Sequence, residues 1–124
     1  TGLLGRRLVA TAPGRLAATH HASPPTASHA DWHHCDLADG GVAAAELIAH
    51  LRPAAVINAA YIHGGEELHA ITAVAPGSMA SACRLIGARF IHISSDVVFD
   101  GVTDLGSHWA TRCCSASAAV AARA

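Results

Sequence analysis

The chain has 124 residues, enough for one compact domain, and 52% of them are hydrophobic against 14% charged, so it does not lack core material. A net charge of −1 gives no basic face for nucleic acid and no attraction to an anionic membrane surface. No apolar run reaches the roughly 18 residues that a membrane span needs, and with aromatics at 4% any core is built from Ala, Val, Leu and Ile.

In chain order, residues 3–12 (LLGRRLVATA) predict a helix with Leu3, Leu4, Leu8 and Val9 on one side and Gly14 placed to stop it. Residues 15–21 (RLAATHH) form a short strand candidate. The Pro, Ser and Thr of residues 22–31 mark a loop, and residues 32–39 (WHHCDLAD) read as an extended piece entering a turn. Residues 41–52 place Val42, Leu47, Ile48 and Leu51 on a helical stripe that ends at Pro53. Residues 54–62 (AAVINAAYI) are a continuous apolar strand of the kind buried on both faces of a parallel sheet. A helical pattern over 66–88 is interrupted by Pro76-Gly77, where an interior proline costs about 3 kcal/mol unless the helix bends. Residues 89–96 (RFIHISSD) are a further buried strand. Strands alternating with helices of this length define βαβ units, a parallel sheet and an α/β fold with right-handed crossovers.

Several motifs carry chemistry. Gly2-Leu3-Leu4-Gly5 opens the first helix, and glycines there let a backbone approach a pyrophosphate at a helix N-terminus. The apolar run Phe90–Ile93 breaks into Ser94-Ser95-Asp96, and polar groups at the carboxyl ends of strands are where open α/β sheets place their sites. Ten His raise the question of a metal, above all at His33-His34-Cys35-Asp36. On a strand those four side chains alternate between faces and do not converge, and no paired C-x-x-C occurs, so no metal is expected. Cys35, Cys83, Cys113 and Cys114 fit no C-x-x-C spacing and no secretory segment is present, so they read as reduced thiols of a cytoplasmic protein.

Taken together, TGLLG (1–5), CDLAD (35–39), RPAAVINAAYI (52–62) and GARFIHISSDVVFDG (87–101) resemble, in order and spacing, the extended short-chain dehydrogenase/reductase superfamily. The likeness is greatest to its dTDP-4-dehydrorhamnose reductase-like sugar-nucleotide reductases. It covers roughly four-fifths of the chain, which no single motif could claim. The resemblance implies an NAD(P)-binding Rossmann-type, doubly wound parallel sheet, here partial. By position it implies Gly2, Leu3, Leu4 and Gly5 on the pyrophosphate, Asp36 and Leu37 beside the adenine, and Ala59, Ala60 and Tyr61 along the ribose and nicotinamide. It also implies Ser95 as the catalytic residue that hydrogen-bonds the substrate keto oxygen. Two residues of these motifs also have a structural counterpart: Asp36 as a turn former, and Asn58 as a strand-end amide that satisfies a loop.

A dinucleotide fold that prefers NAD ends its second strand in an acid; Thr19-His20-His21 has none, while Arg6 and Arg7 follow the last glycine, which leans towards NADP(H) over NAD(H), with plain surface arginines as the equal alternative. The expected partners are the dinucleotide and, in a complete relative, a sugar-nucleotide substrate, with no nucleic acid and no membrane.

The pattern then departs from that family. Such reductases resemble one another in a Tyr-x-x-x-Lys pair on one helix face, and after Gly101 this chain has neither residue; it contains no Lys at all, and Tyr61 is its single Tyr. Loss of a positioned acid/base typically costs about 10²–10⁴-fold in rate. Ala75 stands where the family usually has Asn. The family's first strand and first glycine lie before Thr1, and in the order 3-2-1-4-5-6 that strand is central, so two rows of backbone groups are expected to lack partners. The expected organisation is a partial dinucleotide-binding domain over 1–101 and an atypical Ser/Ala/Cys tail over 102–124. Because the chain starts at Thr and changes character after Gly101, it reads as a fragment, inactive as written, with a shift of reading frame after Gly101. The alternative is a non-catalytic, dinucleotide-binding regulatory protein of the same family.

Overall fold

A computed structural model describes residues 2–22 and 29–94 of the protein. The elements are α1 (Leu3–Thr11), β1 (Ala17–His20), β2 (Asp31–His34), α2 (Val42–Leu51), β3 (Ala55–Asn58), a π-helical turn (Ala70–Val74), α3 (Ala75–Ile86) and β4 (Arg89–His92). All strand pairing is parallel: Ala17 to His20 lie opposite Asp31 to His34, and Ala55 to Asn58 lie opposite Arg89 to His92. β1 and β3 do not pair with each other, so each has a hydrogen-bonded neighbour on one side only among the described residues. The two pairs correspond to strands 3-2 and 4-5 of the doubly wound order, and strand 1 has no counterpart among the described residues.

The core sits where α2 packs on α3. Cys35, Ala44, Ile48, Met79, Ala82 and Cys83 form one buried cluster, and Leu37, Val56 and Phe90 pack against it from the strand side. β3 and β4 therefore rest on this helix layer, and the segment after β2 joins it through Cys35 and Leu37. The stripe expected on α2 is partly displaced: Ala44 and Ile48 are buried, whereas Val42 and Leu51 are exposed. Small Ala44, one turn from Ile48, lets the two helix axes approach, and that close contact rather than side-chain bulk selects the buried face.

The long helical pattern is not broken at Pro76. Helix continues from Ala70 to Ile86, with the π turn placed immediately before the proline and the Ala75 N–H donating to the Ala70 carbonyl. Pro76 is thus the second residue of α3. It has no N–H to satisfy, and the wider turn shifts the carbonyl its ring would otherwise meet.

Burial on both faces, expected for the apolar strands, is realised on one face only. Val56 and Phe90 point to the helix layer, while Ile57 and Ile91 on the other face are 45% and 41% exposed. A strand loses both faces from water only when a layer covers each, and among the described residues only α3 packs on β3 and β4. α1 likewise buries no residue, and Leu3 is 89% exposed.

Candidate functional site

The carboxyl ends of β3 and β4 lie side by side. Asn58 stands opposite His92, and the Ile93 N–H donates to the Asn58 carbonyl at 2.9 Å, so residues 59–61 and 93–94 leave the sheet as neighbours. Asn58 is 3% exposed and is the buried polar residue of the described core. Its side-chain Oδ1 accepts the Ala60 N–H at 3.1 Å, and its Nδ2 lies 3.3 Å from His92 Nδ1. Ala59 and Ala60 are half-buried. Tyr61 is exposed, its ring edge-on to His63 with centroids 5.1 Å apart. Phe90 and His92, two residues apart on one strand face, stack with rings nearly parallel. Burial pushes the His92 imidazole below its ordinary range, and a hydrogen bond with the Asn58 backbone opposes the shift. Ser94 is exposed at the end of this stretch, and Ser95 lies outside the described residues.

A second group lies at the end of β2. One Asp36 oxygen accepts the Ala38 N–H at 2.9 Å, which is the turn-forming role, and the other lies 3.7 Å from His21 Nε2. Leu37 packs on the core cluster. The rings of His20 and His34 meet at 5.6 Å, and His21 and His34 at 6.3 Å. No group of three or more His, Cys, Asp or Glu among the described residues is arranged to hold a metal ion. The thiols of Cys35 and Cys83 are free and buried. Burial raises both, with Asp39 and then Asp36 adding to the effect at Cys35, so both are neutral.

Gly2, Leu3, Leu4 and Gly5 form the start of α1, with Gly2 in extended conformation as its N-cap. No side chain caps this end and no acid occupies its first turn, so its N–H groups suit an anion. The structure therefore brings Asn58, Ala59, Ala60 and Tyr61 together with Ser94, and it gives Asp36 and Leu37 a turn and a core contact.

Two features went unread in the sequence. His92 shares its strand face with Phe90, and period-two spacing could have shown that much. Asp39 is the actual cap of α2: its Oδ1 accepts from the Gly41 and Val42 N–H groups at 2.7 and 3.0 Å, and its Oδ2 from Ala43 at 2.8 Å. An acid three residues before the helix was the available signal.

Parallel strands on a helix layer, with polar groups gathered at the carboxyl ends of the strands, define a partial Rossmann-type α/β protein. The chain belongs to the RmlD substrate binding domain family, which matches residues 1–112. It is 33% identical over 108 residues to a dTDP-4-dehydrorhamnose reductase of Streptomyces griseus, covering 82% of this chain and 33% of that protein. Against the enzyme of the same name from Mycobacterium tuberculosis H37Rv it is 42% identical over 65 residues, or 48% of this chain and 21% of the relative. For that of Mycolicibacterium smegmatis the figures are 51% over 37 residues, 30% and 11%. The crystal structure of a hypothetical dTDP-4-dehydrorhamnose reductase from Sulfolobus tokodaii superposes with a TM-score of 0.61 at 25% identity, over 80% of this chain and 37% of that one. The chain spans a third or less of the length of these curated relatives.

Proposed function

We infer that this chain carries the dinucleotide-binding part of a sugar-nucleotide reductase similar to dTDP-4-dehydrorhamnose reductase. The observation that carries the reading is that β3 and β4 end side by side, with Asn58 opposite His92 and its carbonyl accepting the Ile93 N–H, in a chain of this family. A bound nicotinamide dinucleotide supplies the hydride for reduction of the 4-keto group of a deoxysugar nucleotide. On this reading Gly2, Leu3, Leu4 and Gly5 offer backbone N–H groups to the pyrophosphate, and Asp36 and Leu37 border the adenine. Ala59, Ala60 and Tyr61 line the nicotinamide side, and Ser95 donates a hydrogen bond to the keto oxygen. NADP(H) is preferred over NAD(H), because His20 and His21 stand where a carboxylate would repel a 2′-phosphate. Two buried free thiols accord with a cytoplasmic setting.

The absence of any Lys supports a second reading, a dinucleotide-binding protein without turnover. One experiment tests both: titration with NADPH and NADH by protein-fluorescence quenching, followed by an assay for oxidation of NADPH by a dTDP-4-keto-6-deoxyhexose. Binding with NADPH ahead of NADH supports the dinucleotide site. Turnover selects the reductase, and binding without turnover selects the second reading. No binding of either nucleotide overturns both.

A further inference from the structure

The hydrogen bonds around Asn58 fix more than a loop. An amide has one acceptor and one donor end, and here the Ala60 N–H occupies the acceptor Oδ1, so Nδ2 is the end that faces His92. Nδ2 can only donate. For that contact to be a hydrogen bond His92 Nδ1 presents a lone pair, which places the ring proton on Nε2 and leaves the ring neutral.

We propose that His92 is a positioning residue: as a neutral imidazole it holds the Asn58 side chain, and through it the Asn58–Ala60 turn, and its protonation releases that turn. An imidazolium carries N–H at both nitrogens, so Nδ1 would point a proton at the donating Nδ2, and the pair would separate. Asn58 is buried, and rotating away from His92 costs it the Ala60 contact or leaves its amide without a partner.

Among the side chains of β3, β4 and α3, His92 is the one that titrates between pH 8 and 5. β3 carries no ionisable side chain. α3 offers the neutral, buried Cys83 and the exposed Arg84, and Arg89 stands at the opposite end of β4. The direction of the shift at His92 fits a ring that resists protonation where it sits. The consequence for cofactor affinity rests on the function proposed above; the tautomer and its coupling to Asn58 do not.

The test uses the full chain, uniformly ¹⁵N-labelled. Long-range ¹H–¹⁵N correlation spectra across pH 8 to 5 report the His92 tautomer, and the Asn58 side-chain and Ala60 backbone amides are followed in parallel. His92→Gln identifies the His92 signals by their loss. The expected result is an unprotonated Nδ1 at pH 8, with the Asn58 and Ala60 signals moving together with His92 as it protonates. A proton on Nδ1 at pH 8, or Asn58 and Ala60 signals that ignore the His92 titration, overturns the proposal.

NADPH titration over the same pH range adds the functional arm. Wild type should lose roughly five- to tenfold in affinity as His92 protonates, the value of about one hydrogen bond. His92→Gln keeps an acceptor oxygen but does not titrate, so its affinity should lack that step, which separates His92 from the other nine histidines. Should the step persist in His92→Gln, the coupling to the cofactor is refuted. If NADPH binds at no pH, the functional reading fails, and the ¹⁵N spectra of the unsubstituted chain still decide the tautomer.

Discussion

Replacing Gly41 by Ala tests whether the contact between α2 and α3 is the keystone of the fold. Gly41 is buried at the start of α2 with φ +82°, and a Cβ built there lies 2.8 Å from Ala75 Cα and 2.9 Å from both Ala75 Cβ and the Ala75 carbonyl oxygen. Ala75 is itself fully buried, and what the new methyl meets is mostly backbone, so nothing can swing aside. The helices must part, which loosens the hydrogen bond from Ser78 Oγ to the Gly40 carbonyl (2.8 Å) and the packing of Ala44 on Met79. Overpacking of this kind costs about 1–3 kcal/mol, and a left-handed conformation adds about 1–2 kcal/mol for any residue with a Cβ.

Gly14→Ala supplies the control, since Gly14 has φ +80° with open space around its Cβ position. The conformational cost and the gain from a stiffer unfolded chain are common to both variants. The difference between them therefore isolates the clash, at about 1–3 kcal/mol. Urea unfolding followed by far-UV circular dichroism measures it, as a drop in midpoint of about 1 M for Gly41→Ala relative to Gly14→Ala. Equal midpoints for the two variants would show that α2 and α3 do not meet at Ala75.

Further expectations use the same unfolding assay and thiol chemistry. Ile48→Ala empties the centre of the core cluster and should lower stability by about 2–5 kcal/mol, whereas truncating the exposed Leu51 should cost far less. Asp39→Ala removes the three-donor cap of α2 and should cost about 0.5–2 kcal/mol at pH 7. The Ala43 N–H above all, with those of Gly41 and Val42, holds the Asp39 carboxyl below its ordinary range. Its contribution is thus full above the ordinary carboxylate value and fades as pH falls through the lowered one. The gap between wild type and Asp39→Ala should close in acid, and a gap that does not change with pH would remove Asp39 from the cap. Cys35 and Cys83, buried and held neutral, should react with a thiol reagent only as the chain unfolds; fast modification in buffer that peptide mapping assigns to either would contradict their place in the core.

Much of this architecture was legible because it is local. Pro53 and the Ala-rich run before it bound α2, the apolar runs at 54–62 and 89–96 contain β3 and β4, and Ser94 stands just past the end of β4. Asp36 and Asn58 were also marked in advance, together with the turn and loop roles they turn out to play. Periodicity failed where burial depends on what lies opposite. Val42 and Leu51 fit the stripe as well as Ile48 does, but α3 covers only the side that carries Ala44. Ile57 and Ile91 fit a strand buried on both faces, yet one face lacks a layer among the described residues.

By itself, then, the sequence determined the order and type of the elements and the family likeness, since these follow from spacing, breakers and motif residues along the chain. Only tertiary structure decided the parallel register that sets Asn58 opposite His92, the π turn that carries Pro76, and the approach of Gly41 to Ala75. Each of these joins residues far apart in the chain or depends on a neighbour's backbone, and hydrophobic pattern carries no information about such partners until the chain has folded.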